Sequence, residues 1–132
     1  MGGAMLTFNL KKKWFEKIKS GEKTHEYRVM SDYWVKRIHP TYFKGQIVDR
    51  YMCDYFKNIP AIKFTYGRLN LKNSDGIVFC CGYPKKGDKE KRLYAKIISI
   101  TSNVNGNYTD LKIDKPVYDI EFEVIKKVQN DK

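Results

Sequence analysis

The sequence has no apolar run that approaches the roughly 20 residues needed to span a bilayer, so no membrane-spanning helix is expected. Residues 1–8 lack a basic segment followed by a long apolar stretch, so no secretory signal is predicted. Cysteine is also scarce, and Cys53, Cys80 and Cys81 form no C-x-x-C pair. An odd number of cysteines without a secretory signal favours reduced thiols and a cytoplasmic location.

Metal ligands are equally few. His25 and His39 are the only histidines, and neither lies in a cluster with cysteine. The sequence therefore predicts no metal site and no cofactor. Cys80 and Cys81 end an apolar run over residues 77–81, where we interpret them as small core residues rather than as zinc or redox ligands.

The composition that is present indicates one folded domain. Of the 132 residues, 42% are apolar and 14% aromatic, which is enough for one core. The length is too short for two ordinary domains. We expect a single domain over residues 5–128, with flexible termini at 1–4 and 129–132.

Positive charge is concentrated in the first three quarters of the chain. The 26 Lys and Arg against 15 Asp and Glu give a net charge of +11. Residues 1–44 and 45–102 each carry +6, and residues 103–132 carry −1. Such a field favours phosphate-bearing partners such as nucleic acid, and solubility alone is the alternative explanation.

The first forty residues alternate between strand and helix patterns. Gly21 follows an amphipathic segment at the position where a left-handed residue ends a helix, and Ser31 is placed to cap the start of the next one. Strand, helix, strand and helix are predicted in turn at Met5–Asn9, Lys11–Ser20, Thr24–Val29 and Asp32–Ile38.

The rest of the chain is dominated by strand patterns. The segment Gln46–Tyr55 is ambiguous, and Ser102–Tyr108 has the composition of a turn. The sequence therefore predicts an α+β fold with a largely closed, mixed β-barrel of about six strands and two early flanking helices. Beyond the first two strands, strands are predicted at Ala61–Arg68, Gly76–Gly82, Leu93–Thr101 and Tyr118–Val128.

The segment from Ser20 to Arg28 carries the clearest chemical signal. In a strand, the side chains of Thr24, Glu26 and Arg28 share one face. Arg28 suits bidentate binding of a phosphate or carboxylate, Lys23 supplies a positive charge or a base, and Glu26 can accept hydrogen bonds or act as a general base. The alternative is a structural ion pair at the rim of the barrel.

This segment resembles a known family. Gly21, Lys23, Glu26 and Arg28 match the G-x-K-x-x-E-x-R signature of ASCH domains, which belong to the PUA-like superfamily. Leu6–Leu10, followed by Trp14, Phe15 and Ile18, resembles the strand and helix that lead into that signature. The resemblance covers residues 5–38 and extends more loosely to residues 62–67 and the late strands. The resemblance implies a mixed β-barrel with flanking helices and a cleft, lined by the signature residues, that binds RNA or a nucleotide-like ligand.

Some members of the family are enzymes, and the resemblance leaves activity open. Small amidohydrolases that deacylate acylated cytidine use a lysine, which Lys23 matches, and a threonine, whose position is occupied here by Glu26. Thr24 lies two residues earlier. Other ASCH proteins resemble ribonucleases for single-stranded RNA that use tyrosine and lysine side chains. If this chain is an enzyme, Lys23 and Glu26 are its candidate catalytic residues.

Two further segments are candidate anion sites. Tyr66 and Arg68 follow a predicted strand, and Arg68 could join Arg28 at an anion, a β-bulge being the alternative. The basic loop 84–92 could contact a phosphate backbone or form a solvated hairpin tip.

The leading prediction is an RNA- or nucleotide-binding module with a cationic cleft. An enzyme acting on modified nucleosides or RNA and a protein-interaction module are the alternatives. The predicted ligand-binding residues are Lys23, Thr24, Glu26, Arg28, Tyr66 and Arg68.

Overall fold

The computed structural model describes residues 5–39, 50–65 and 76–125. These residues form an α+β fold in which a curled, mixed sheet of six strands makes a half-barrel with few helices. None of their helices is long and apolar enough to cross a membrane. The predicted α+β class and the number of strands are confirmed for this part of the chain.

The elements follow the predicted order at the start of the chain. They are β1 (Leu6–Leu10), α1 (Lys12–Ser20), β2 (His25–Val29), α2 (Asp32–Ile38), α3 (Arg50–Asn58), β3 (Lys63–Thr65), β4 (Ile77–Cys81), β5 (Arg92–Asn105) and β6 (Pro116–Val124). Short 3-10 helices cover Lys89–Lys91 and Gly106–Tyr108.

The sheet is open between its two end strands. Its order is β1-β4-β5-β6-β2, with β3 paired to β5 off this path. β1 lies parallel to β4, and the other pairings are antiparallel. Within the described residues β1 and β2 do not pair, so the barrel is less closed than the sequence pattern predicts.

Alternating apolar residues build the core. In β6, Tyr118, Ile120 and Phe122 are buried at every second position, as the sequence pattern predicts for one face of a strand. Phe15 and Ile18, three residues apart on α1, are buried as well. The resulting core holds β1, α1, α2 and Met30, the residue directly after β2, in one packed unit.

Both predicted helix caps are confirmed. Gly21 adopts a left-handed backbone with φ of 88°, which glycine tolerates without steric cost. Two residues later, the backbone N–H of Lys23 donates to the carbonyl of Lys17 at 3.1 Å. At the next helix, the hydroxyl of Ser31 accepts a bond from the backbone N–H of Trp34. These turns fix where Lys23 and α2 meet β2.

Two elements differ from the sequence prediction. The described part of the ambiguous segment, residues 50–55, belongs to a third helix, α3, which extends to Asn58 and buries Cys53 and Phe56 at helical spacing. β5 continues to Asn105, into the first half of the segment Ser102–Tyr108 that is predicted as a turn, and the second half forms the short 3-10 helix Gly106–Tyr108. Asn103 there has φ of 56°, and its side-chain amide donates to the carbonyls of Phe56 and Lys57 at 3.0 Å each. The turn-forming residue thus makes an irregularity within the strand and holds the end of α3.

Candidate functional site

A cavity of about 580 Å³ lies between the two end strands of the sheet. The C-terminal end of β1 and most of β2 border it, together with residues of α1 and α2. Lys23, Glu26 and Arg28 all line this cavity, as do Trp14 and Trp34. The structure therefore brings three of the predicted site residues to one open site.

Glu26 and Arg28 form a hydrogen-bonded ion pair. Their positions two apart in β2 place both side chains on the same face. The Arg28 Nε donates to Glu26 Oε2 at 3.0 Å, and Nη2 lies 2.9 Å from the same oxygen. Only 6% of Glu26 is exposed, so this carboxylate is almost fully removed from water.

Aromatic rings fix the guanidinium of Arg28 from the neighbouring elements. The guanidinium carbon lies 4.6 Å from the ring centroid of Phe8 on β1 and 5.5 Å from that of Trp34 on α2. Such cation–π contacts are stronger when the cation is partly desolvated. Arg28 is therefore held across the gap between the end strands in a preorganised position.

Lys23 is the second cation of the cavity. Its Nζ lies 2.6 Å from Asp110 Oδ2 and 3.8 Å from Glu26 Oε1. It also lies 5.3 Å from the ring centroid of Trp14 and 5.2 Å from that of Tyr27. With 11% of its side chain exposed, Lys23 is a buried charge with two acidic partners.

Asp110 is a site residue that sequence reasoning missed. It lies 87 positions from Lys23, so no local spacing could have indicated the pair. The Thr109 hydroxyl shapes the loop: it donates to the Gly106 carbonyl at 2.8 Å and accepts from the Leu111 N–H at 3.1 Å. A side chain at Gly106 would meet the backbone carbonyls of the returning chain, one of them at 2.9 Å. The glycine therefore allows the close packing of the loop that carries Asp110.

The other predicted site residues lie elsewhere. Thr24 precedes β2, is exposed, and borders a second cavity rather than the one lined by Lys23, Glu26 and Arg28. Tyr66 and Arg68 lie outside the described residues.

One cation of the basic loop between β4 and β5 forms hydrogen bonds within the loop. Arg92 donates to the carbonyls of Pro84, Lys85 and Asp88 at 3.3, 3.0 and 3.1 Å. This side chain therefore stabilises the loop itself. Contact between the loop's exposed lysines and a phosphate backbone stays a prediction.

Four of the charges that line the first cavity form two ion pairs, and Lys11 is a further, exposed cation. Arg28 pairs with Glu26, and Lys23 pairs with Asp110. Burial raises the pKa of Glu26, and this effect exceeds the lowering by Arg28 and Lys23. Burial and nearby carboxylates, chiefly Asp119, also raise the pKa of Tyr27. The cavity thus presents oriented donors and acceptors between aromatic rings.

Glu26→Gln tests whether the fold needs this carboxylate. The folded-state pKa of Glu26 lies above its ordinary value of 4.5, so the native state holds more proton there than the unfolded chain. The stability that Glu26 contributes is therefore greatest below pH 4.5 and falls as the pH rises through the folded pKa. Keeping a charged carboxylate buried at pH 7 costs free energy, and the neutral amide of glutamine removes that cost. We therefore expect the free energy of unfolding at pH 7 to stay within about 1 kcal/mol of wild type. Urea unfolding between pH 4 and 8 measures it, and a loss above about 3 kcal/mol would show that the charge itself holds the fold.

Among the residues that the structure describes, no group of three or more potential ligands could hold a metal ion. Comparison of the chain with protein-family models, with curated proteins and with solved structures finds no match. The ASCH assignment therefore rests on the sequence motif and stays a proposal.

Proposed function

We propose that the protein is a binding module of the ASCH type, with a PUA-like barrel, for single-stranded RNA or nucleotides. One observation carries the proposal: Lys23, Glu26 and Arg28, matched by the sequence signature, line a single open cavity together with Trp14 and Trp34. A purely structural ion pair at a rim would not need both tryptophans of the chain beside it.

The chemistry of the cavity suits a nucleobase. Indole and phenol faces stack on any base, and each stacked base contributes roughly 1–3 kcal/mol. Glu26 and Asp110 can accept hydrogen bonds from exocyclic amines, and Arg28 and Lys23 can donate to carbonyl or phosphate oxygens. Because these groups already hold one another in place, a ligand exchanges existing bonds instead of ordering free side chains.

The net charge of +11 supplies the long-range part of binding. Two of the three cations that line the cavity are paired with carboxylates, so the attraction of a phosphate backbone comes mainly from exposed lysines, among them Lys11 at the cavity itself. Binding to RNA is therefore expected to weaken steeply with added salt, while discrimination between ligands comes from the cavity.

Fluorescence anisotropy with a labelled single-stranded RNA tests the proposal. Lys23→Ala removes a charged donor from the cavity, so we expect an affinity loss of about tenfold at constant salt. Lys96→Ala is the matched control, because it removes the same charge from a half-exposed lysine that pairs with Glu123 away from the cavity. Absence of binding at low salt, or equal losses in the two variants, contradicts the proposal.

A catalytic role is the second candidate, and one observation favours it. Glu26 is a buried carboxyl with a raised pKa, 3.8 Å from the Nζ of Lys23. Such a pair is suited to general acid–base chemistry on a modified nucleoside or RNA. The test is incubation with acylated cytidines and short RNAs. Turnover that disappears in Lys23→Ala and Glu26→Ala supports a catalytic role. Absence of turnover, or turnover unchanged in both variants, contradicts a catalytic role.

A further inference from the structure

A second cavity of about 500 Å³ adjoins the first. Its wall is built by the end of α1, the entry to β2 and the loop after the Gly106–Tyr108 turn. Four residues border both cavities: Trp14, Lys23, Tyr27 and Asp110. The two cavities are therefore neighbouring compartments of one groove and share a wall.

The Lys23–Asp110 ion pair lies in that shared wall. Lys23 borders both cavities, and its Nζ is 2.6 Å from Asp110. A group bound at Lys23 can thus be connected to parts of a ligand on either side. A phosphodiester, which joins two nucleosides, has the connectivity for this position, and its oxygens can accept from the Lys23 ammonium in place of Asp110.

The second cavity has its own stacking surface and cations. Tyr108 borders this cavity and is 84% exposed, so its ring face is accessible to a ligand. Lys17 and Lys112 also border the cavity. His25 borders it too, with its Nδ1 held 2.7 Å from Asp119. Aromatic faces interleaved with cations are the pattern of single-strand binding grooves.

We propose that the two cavities bind successive nucleotides of a single-stranded RNA, with the linking phosphate at Lys23. The first nucleotide occupies the cavity of Arg28 and Glu26, and the second stacks on Tyr108 beside Lys112. The ligand is therefore an oligonucleotide of at least two nucleotides and not a free nucleotide. This inference rests on the proposed function, because it extends the same site.

Isothermal titration with the wild-type chain compares ribonucleoside 5′-monophosphates with single-stranded tetraribonucleotides. We expect the tetranucleotides to bind at least about tenfold more tightly, because they fill both cavities. Tyr108→Ala should weaken tetranucleotide binding about tenfold and leave monophosphate binding unchanged. Tyr83→Ala is the matched control, since this tyrosine is 88% exposed and borders neither cavity.

The outcomes separate this inference from the proposed function. Equal affinity for monophosphates and tetranucleotides, or no effect of Tyr108→Ala on the tetranucleotides, overturns the two-nucleotide groove and leaves the first cavity as a nucleotide site. Absence of binding by either ligand, or binding that Arg28→Ala does not change, overturns the proposed function and the inference with it.

Discussion

Arg28→Ala is expected to lower the affinity for single-stranded RNA by about 100-fold. The substitution removes a two-pronged donor that Glu26, Phe8 and Trp34 hold in position. A factor of 100 corresponds to about 2.7 kcal/mol, which lies within the roughly 1.5–3 kcal/mol that one charge-assisted hydrogen bond contributes. Anisotropy titrations at fixed salt measure it, and thermal unfolding shows that the variant is folded.

Two further variants separate geometry from charge. Arg28→Lys keeps the charge and loses the planar fork, so we expect it to recover only a small part of the affinity. Arg37→Ala removes the same charge from an arginine that stacks on Tyr33 and borders neither cavity. If Arg37→Ala weakens binding as much as Arg28→Ala, the effect is one of net charge and the cavity does not bind RNA.

We also expect a large loss of stability in acid that depends on His39. This side chain is 1% exposed and lies against the ring of Phe56, with 3.9 Å between the ring centroids. Its Nδ1 is 2.6 Å from the hydroxyl of Tyr118. Burial lowers the pKa of His39 from 6.5 to about 4, because the imidazolium would lose its hydration.

The protonation states of His39 in the folded and the unfolded chain set the direction in which stability changes with pH. Between pH 6.5 and about 4 the unfolded chain protonates this histidine and the native protein does not. The contribution of His39 is therefore fully present above pH 6.5 and is lost as the pH falls through this window. The expected loss is about 3 kcal/mol. Urea unfolding at pH 7 and at pH 4 measures it.

His39→Asn isolates this contribution, because carboxylates titrate in the same range. The amide can hydrogen-bond with the Tyr118 hydroxyl and carries no titrating proton. The free energy of unfolding of the His39→Asn variant should therefore fall between pH 7 and pH 4 by about 3 kcal/mol less than that of wild type. Tyr118→Phe keeps the histidine and should keep the acid loss. The same pH profile for wild type and His39→Asn would show that His39 is not held neutral by the fold.

Local sequence rules were sufficient to predict that part of the signature shares one face of β2. The two-residue period of a strand placed Glu26 and Arg28 on one face, but it placed Thr24 there as well and left open the direction of Lys23 in the turn after Gly21. These are short-range constraints, set by backbone geometry within a few residues. They predict which signature side chains can meet without any knowledge of the rest of the fold.

The chemistry of the site depends on contacts that local rules do not contain. Asp110 reaches Lys23 from 87 positions away, through a loop whose course depends on packing around Gly106. Trp34 packs against the core and also borders the cavity. The cleft that the signature segment predicts to be cationic therefore holds two ion pairs between aromatic rings.

Helix α3 is a part of the fold that local rules likewise do not predict. Its apolar residues Cys53 and Phe56 have helical spacing, but Ile47 and Val48 just before them favour a strand. The helix is stabilised by tertiary contacts, including the two bonds that the Asn103 side chain donates to its C-terminal carbonyls. Such contacts arise only when β5 is in place.

The two tryptophans offer the most direct test of the central claim. Trp14 and Trp34 are the only tryptophans of the chain, and both border the first cavity. In a heteronuclear NMR titration of the labelled protein with single-stranded RNA, we predict that both indole N–H signals shift together with the backbone signals of Lys23 and Arg28. Saturating binding that leaves both indole signals and these backbone signals unmoved would place the ligand elsewhere and contradict the account.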